Sequence, residues 1–135
     1  MQLNEDSTWS GRVYFIPVNP VPKGRPRLGR GGRVFTPQIT RVAEITIKQY
    51  LRLQKPPLQH GPIRVIVQFL LQKPKSVKRE YHTVKPDCDN LLKLLLDAGN
   101  DILWRDDSQI VQLECSKQYA TDKVGTYITI MEPEF

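Results

Sequence analysis

At 135 residues and 15.6 kDa the chain has the length of one compact domain, and with 39% hydrophobic and 25% charged residues it falls in the ordinary globular range, which excludes wholesale disorder. No apolar run approaches the ~20 residues needed to cross a bilayer. The net charge of +6 and pI near 9.5 point instead toward a polyanionic partner.

The polar stretch Met1–Ser10, with Glu5 and Asp6, lacks the apolar centre of a secretory signal and is expected to be a flexible N-terminus to a single domain spanning 1–135. Two cysteines, Cys88 and Cys115, are too few for a disulfide framework or a zinc site, so a reducing, cytoplasmic setting is expected. Arg12–Ile16 predicts a first strand, stopped by Pro17. The proline- and glycine-rich segment that follows predicts a loop exposing Lys23, Arg25, Arg27 and Arg30. Arg33–Phe35 predicts a short strand. Thr36 then suits an N-cap and Pro37 a first helical position, with Ile39, Val42, Ile45, Ile47, Tyr50 and Leu51 carrying a helix to about Leu53.

Pro62–Leu71 alternates, with Ile63, Val65, Val67, Phe69 and Leu71 on one face of a half-buried strand. A basic loop follows, holding Lys73, Lys75, Lys78, Arg79 and Lys85. Its length marks it as a binding loop, with Tyr81 and His82 beside the cations. Asp87–Gly99 predicts a helix that buries Leu91, Leu92, Leu94, Leu95 and Ala98 and uses Gly99 as its C-cap. Gln109–Tyr119 alternates again, and Gly125–Met131 completes an expected hairpin with it. The order strand, helix, strand, helix, strand, strand predicts an α+β fold: a small mixed or antiparallel sheet covered by two main helices.

The charge is segregated. Residues 7 to 43 carry no acid, while Asp87, Asp89, Asp97, Asp101, Asp106 and Asp107 crowd into 87 to 107. Within Lys85-Pro86-Asp87-Cys88-Asp89-Asn90-Leu91-Leu92-Lys93, Pro86 keeps Lys85 out of helical geometry. On that extended approach, Asp87 and Asp89 share one side. Two carboxylates about 5 Å apart repel by roughly 3 kcal/mol at an effective dielectric near 20. A hard divalent cation removes that penalty, and all-oxygen ligands fit Mg²⁺ or Mn²⁺. A plainer account makes Asp87 an N-cap, Asp89 a helix-dipole partner, and Asp89, Lys93 and Asp97 an i,i+4 ion-pair ladder. A second acidic pair, Asp106-Asp107, opens the next strand. A helix start and a strand start can converge at one sheet edge, and three carboxylates beside a lysine suit metal-assisted phosphodiester hydrolysis. Adjacent strand residues face opposite ways, so one of Asp106 and Asp107 is expected in the site.

The pattern K-P-D-x-D-N-L-x-K-x-x-x-D-A, followed by W-x-D-D-x-Q-I, resembles the RusA family of Holliday-junction endonucleases over residues 85 to 110. The stretch Pro20 to Arg27, Thr36-Pro37 and Lys117 on the following strand extend the resemblance in patches. It implies a RusA-like fold with Asp87, Asp89 and Asp107 as metal-binding catalytic carboxylates and Lys93 as the essential lysine. It also implies an Mg²⁺-dependent homodimer, common in phages and prophages, that resolves four-way junctions in recombination and repair. The expected products are paired symmetrical nicks with 5′-phosphate ends. Lys23, Arg25, Arg27, Lys73, Lys75, Lys78, Arg79 and Lys117 are the expected DNA contacts. The other readings are a related nuclease that prefers flaps or forks, and a non-catalytic DNA-binding protein whose acids only cap and pair.

Overall fold

Alternating apolar residues become alternating burial. A computed structural model describes residues 8–25, 27–35 and 37–134, without the side chains of Arg27 and Phe35. The elements in chain order are β1 (Trp9–Ile16), β2 (Arg27–Leu28), β3 (Val34–Phe35), α1 (Gln38–Leu53), β4 (Ile63–Leu71), α2 (Cys88–Gly99), β5 (Ile110–Tyr119) and β6 (Gly125–Pro133). One main sheet runs β1-β6-β4-β5, and β2 pairs with β3 in a small separate ribbon. β4 and β5 are parallel, joined by α2, while β6 is antiparallel to both β1 and β4. The sheet is therefore mixed and, with two helices, the fold is α+β as expected.

The core lies on one face of the sheet. Ile63, Val65, Val67, Phe69 and Leu71 of β4 meet Ile128 and Ile130 of β6, Leu51 of α1, and Leu91 and Leu95 of α2. Fully burying one such side chain contributes about 1.5–3 kcal/mol, so this shared face fixes both helices. Trp104 is wholly buried and donates its Nε1–H to Asn100 Oδ1 at 2.8 Å. A Cβ on Gly99 would come within 2.7 Å of the Trp104 ring. Glycine is needed there for close approach; the C-cap is Asn100, one residue later than expected.

Other expectations shift as well. β1 begins at Trp9, so Trp9 and Ser10 pair with Pro133 and Glu132 instead of lying in a flexible terminus. Pro37 is the N-cap of α1, and the N-cap expected at Thr36 lies outside the described residues. On α1 the buried residues are Thr40 and Leu51, whereas Ile39, Val42 and Ile45 are exposed. β5 and β6 do not form a hairpin, because β6 inserts between β1 and β4. Composition accounts for the exchange. β6 offers Thr126, Ile128 and Ile130 to the core, while β5 carries Gln112, Glu114, Ser116 and Gln118 and tolerates the sheet edge.

Candidate active site

The start of α2 is tied down from three sides. Lys117 of β5 donates its ammonium to the carbonyls of Val84 at 2.7 Å and Pro86 at 2.9 Å. The Lys23 N–H donates to the Asn90 carbonyl at 3.0 Å, and the Gly24 N–H donates to Thr40 Oγ1 at 3.0 Å. The Cys115 thiol packs beside the Cys88 carbonyl. Burial, with Cys88 beside it, pushes the Cys115 thiol up to about 12, so Cys115 stays protonated at neutral pH and is no nucleophile. Lys117, one of the expected DNA contacts, holds the backbone that presents Asp87.

Asp87 occupies the N-cap in extended geometry (φ −80°, ψ 153°) without a side-chain capping hydrogen bond. Asp89 lies in the first helical turn, and both residues are exposed. Among the described residues neither carboxylate is in an ion pair. The side-chain cap expected of Asp87 and the Asp89–Lys93–Asp97 ladder are therefore absent among the described residues, while Asp89 does lie where the helix dipole favours a carboxylate. Asp97 pairs with Lys23 rather than Lys93, across two parts of the chain 74 residues apart. Lys93 stands exposed one turn beyond Asp89, free of ion pairs among the described residues. Asp87, Lys23, Arg25, Lys85 and Asn90 line one groove of about 540 Å³. A carboxylate thus sits among three cations that have phosphate-binding chemistry.

Asp106 and Asp107 are separated by a device that strand alternation does not foresee. They open a 3-10 turn, Asp107–Gln109, ahead of β5. Asp106 caps it: its carboxylate accepts from the Ser108 N–H at 2.9 Å, and its own N–H donates to Gln109 Oε1 at 2.9 Å. The Ser108 hydrogen bonds hold the Asp106 carboxyl below its usual range. The Asp107 carboxylate remains unbonded among the described residues.

The turn does not converge with the helix start. β4 and β5 run parallel, with Ile63 opposite Ile110 and Phe69 opposite Lys117. Six residues of strand span about 20 Å. α2 packs back along this length, so its start lies near Lys117 and its end near the Asp107–Gln109 turn that it touches. Among the described residues no three His, Cys, Asp or Glu side chains stand together as a metal-holding cluster. The donor chemistry at the helix start fits a hard cation, since Asp87 and Asp89 are unbonded oxygen ligands. Within one chain Asp107 is not gathered with them.

In the basic loop, the Lys73 and Arg79 cations lie 5.4 and 5.7 Å from the centroid of the Tyr119 ring. Lys75 and Lys78 are not in ion pairs among the described residues, and the Arg27 side chain lies outside them. The sequence placed Lys85 in the basic loop and Asn90 in the motif, but neither was expected as a site residue; their closeness to Asp87 was the available signal. The burial of His82 had none, because it follows from the loop folding onto Tyr119.

An exposed carboxylate in a cationic groove, with a second one two residues along, belongs to the chemistry of phosphodiester-processing proteins. Comparison with known proteins gives the family: residues 17–131 match the model of endodeoxyribonuclease RusA, and the chain belongs to that family of endodeoxyribonucleases. It is 36% identical over 123 residues to a Bacillus subtilis (strain 168) protein named "Uncharacterized protein YqaN", covering 76% of this chain and 84% of that one. Among the described residues no helix is long and apolar enough to cross a membrane.

Proposed function

We propose that the protein is a divalent-metal-dependent endonuclease that resolves four-way DNA junctions as a homodimer by paired nicks, in recombination and repair. The observation that carries this reading is the pair Asp87 and Asp89, exposed and free of ion pairs among the described residues, with Asp87 sharing a groove with Lys23, Arg25 and Lys85. Asp87 and Asp89 hold the metal, with Mg²⁺ the expected ion. A bound ion supplies charge neutralisation at the phosphate and an activated water. Lys93, one turn along from Asp89, places its ammonium toward charge developing on the phosphate oxygens. Lys23 and Arg25 receive the strand. The exposed Lys23–Asp97 pair contributes at most about 1 kcal/mol, so a phosphate displaces Asp97 without upsetting the fold.

Asp107 enters through the dimer. α2 is 12 residues, about 18 Å, long and keeps Asp107 from the Asp87–Asp89 pair of its own chain. A twofold partner brings its Asp107 to that pair, and each of two equivalent sites then draws on both copies. Exposed Val42 and Ile45 on α1 offer apolar surface of the kind a second copy covers.

The test is cleavage of a labelled synthetic four-way junction and a matched linear duplex, in Mg²⁺ or EDTA, beside Asp89→Asn. Paired nicks on the junction should disappear with EDTA and with the substitution, while Asp89→Asn binds the junction at least as tightly because one repulsive charge is gone. Metal-independent binding without any cut overturns the nuclease reading.

A further inference from the structure

The loop after β4 folds over the end of β5 and encloses a second groove of about 420 Å³. Its walls include Pro20, Val21, Leu71, Pro74 and Val84. It shares Pro22, Lys85 and Pro86 with the groove that holds Asp87, so the two adjoin. Two polar atoms on residues lining it are buried without a protein partner, His82 Nδ1 and Tyr119 Oη. The two residues are 8% and 7% exposed, and their rings lie 4.9 Å apart. A buried polar atom left unpaired costs about 1–3 kcal/mol. Both lie just beneath the groove surface on residues that line it, where a ligand able to hydrogen-bond would relieve them once the rings shift.

The chemistry of the wall selects the ligand. A phosphate would exchange full hydration for proline and valine surface. Burial first, then the cations of Lys117 and Arg79, holds the His82 imidazole below its ordinary range, so it is neutral at pH 7 and has no charge to offer an anion. A nucleobase matches better: its faces are apolar and its edge carries donors and acceptors. Arg79 and Lys85 line the same groove and suit the phosphates on either side of such a base.

We propose that this pocket receives an unstacked DNA base from the strand lying across Asp87, with His82 Nδ1 and the Tyr119 hydroxyl bonded to its edge and Arg79 and Lys85 on the flanking phosphates. Seating the base brings both the His82 nitrogen and the Tyr119 hydroxyl out from beneath the groove surface. The proposal rests on the nuclease reading for DNA as the ligand. It adds a base preference next to the cut, because an edge contact that one base makes and another lacks discriminates between them.

The chain has two histidines, so imidazole NMR on the intact protein reads His82 with exposed His60 as an internal control. The probes are the four deoxynucleoside 5′-monophosphates and deoxyribose 5-phosphate, each at millimolar concentration without metal. The His82 ring signals should shift saturably with nucleotides, with an affinity that differs among the bases, and stay in place with the sugar phosphate. Tyr119→Phe keeps the ring and removes the hydroxyl. It should weaken the preferred nucleotide about three- to tenfold and level the preference. Equal shifts with deoxyribose 5-phosphate would reduce the groove to a phosphate site and overturn the proposal. Unmoved His82 signals with every nucleotide would overturn it too. Cleavage is not read, so an inert nuclease leaves this result intact, and a silent His82 leaves the nuclease reading standing.

Discussion

His82 sits where the fold resists its proton. The imidazole is buried beside Tyr119, with Lys117 and Arg79 as the cations that act on it, and its pKa is lowered. The unfolded chain therefore binds a proton that the folded chain resists. Stability is fully present above the unfolded value near 6.5 and is lost as pH falls through the lowered folded value. Urea midpoints measured from pH 7.5 down to about 5 should fall in the wild type more steeply than in His82→Phe. Parallel curves would mean that the ring accepts its proton in place. Gly99 makes a second prediction at this scale. Ala in its place forces a methyl against the Trp104 ring at 2.7 Å, inside a packed core. The expected destabilisation is about 1–3 kcal/mol, read as a lower urea midpoint with an unchanged slope. An unchanged midpoint would show that Trp104 has room to move.

The parallel β4–α2–β5 unit turns local hydrogen bonds into site geometry. Lys117 reaches from β5 to the two carbonyls just ahead of Asp87. Lys117→Met keeps the stem and removes both bonds. Cleavage should fall about ten- to a hundredfold, the scale on which ångström misplacement acts, while junction binding in EDTA changes by less. If affinity falls as much as cleavage, Lys117 is a DNA contact. Periodicity made most of this architecture legible. Ile63 to Leu71 and Leu91 to Ala98 fall where alternation and helical spacing place them. Strand partnering was not legible, because the 120–124 link has turn residues whether β6 pairs with β5 or passes beyond β4. The fate of α1's apolar residues was equally hidden, since helical periodicity does not say what covers the stripe. At the site, the motif singled out Asp87, Asp89, Lys93 and Asp107. That Asp106 is a cap while the Asp107 carboxylate remains unbonded among the described residues required the 3-10 turn. The convergence expected of a helix start and a strand start does not follow from sequence, because nearness in sequence hides the length of a helix.

That length decides how the whole molecule can work. One chain carries Asp87 and Asp89 at one end of α2 and Asp107 beyond the other, with β4 and β5 in parallel register between the two ends. If the protein works as the proposed homodimer with all three carboxylates on the metal, Asp107 has to come from the partner. Subunit mixing separates this arrangement from a site completed within one chain. Asp89→Asn and Asp107→Asn homodimers should each be inactive. In a mixed dimer with shared sites, one site receives both altered residues and the other receives none, so one intact site survives. That dimer should nick a single strand of the junction, and a statistical mixture that is half mixed dimer should recover roughly a quarter of the wild-type cleavage events, half the dimers each holding one site of two. Sites completed within one chain give the opposite result, because each subunit of the mixed dimer carries its own lesion and no strand is cut. Nicking without paired cleavage would also show that junction resolution needs two working sites in one dimer, while each phosphodiester needs one.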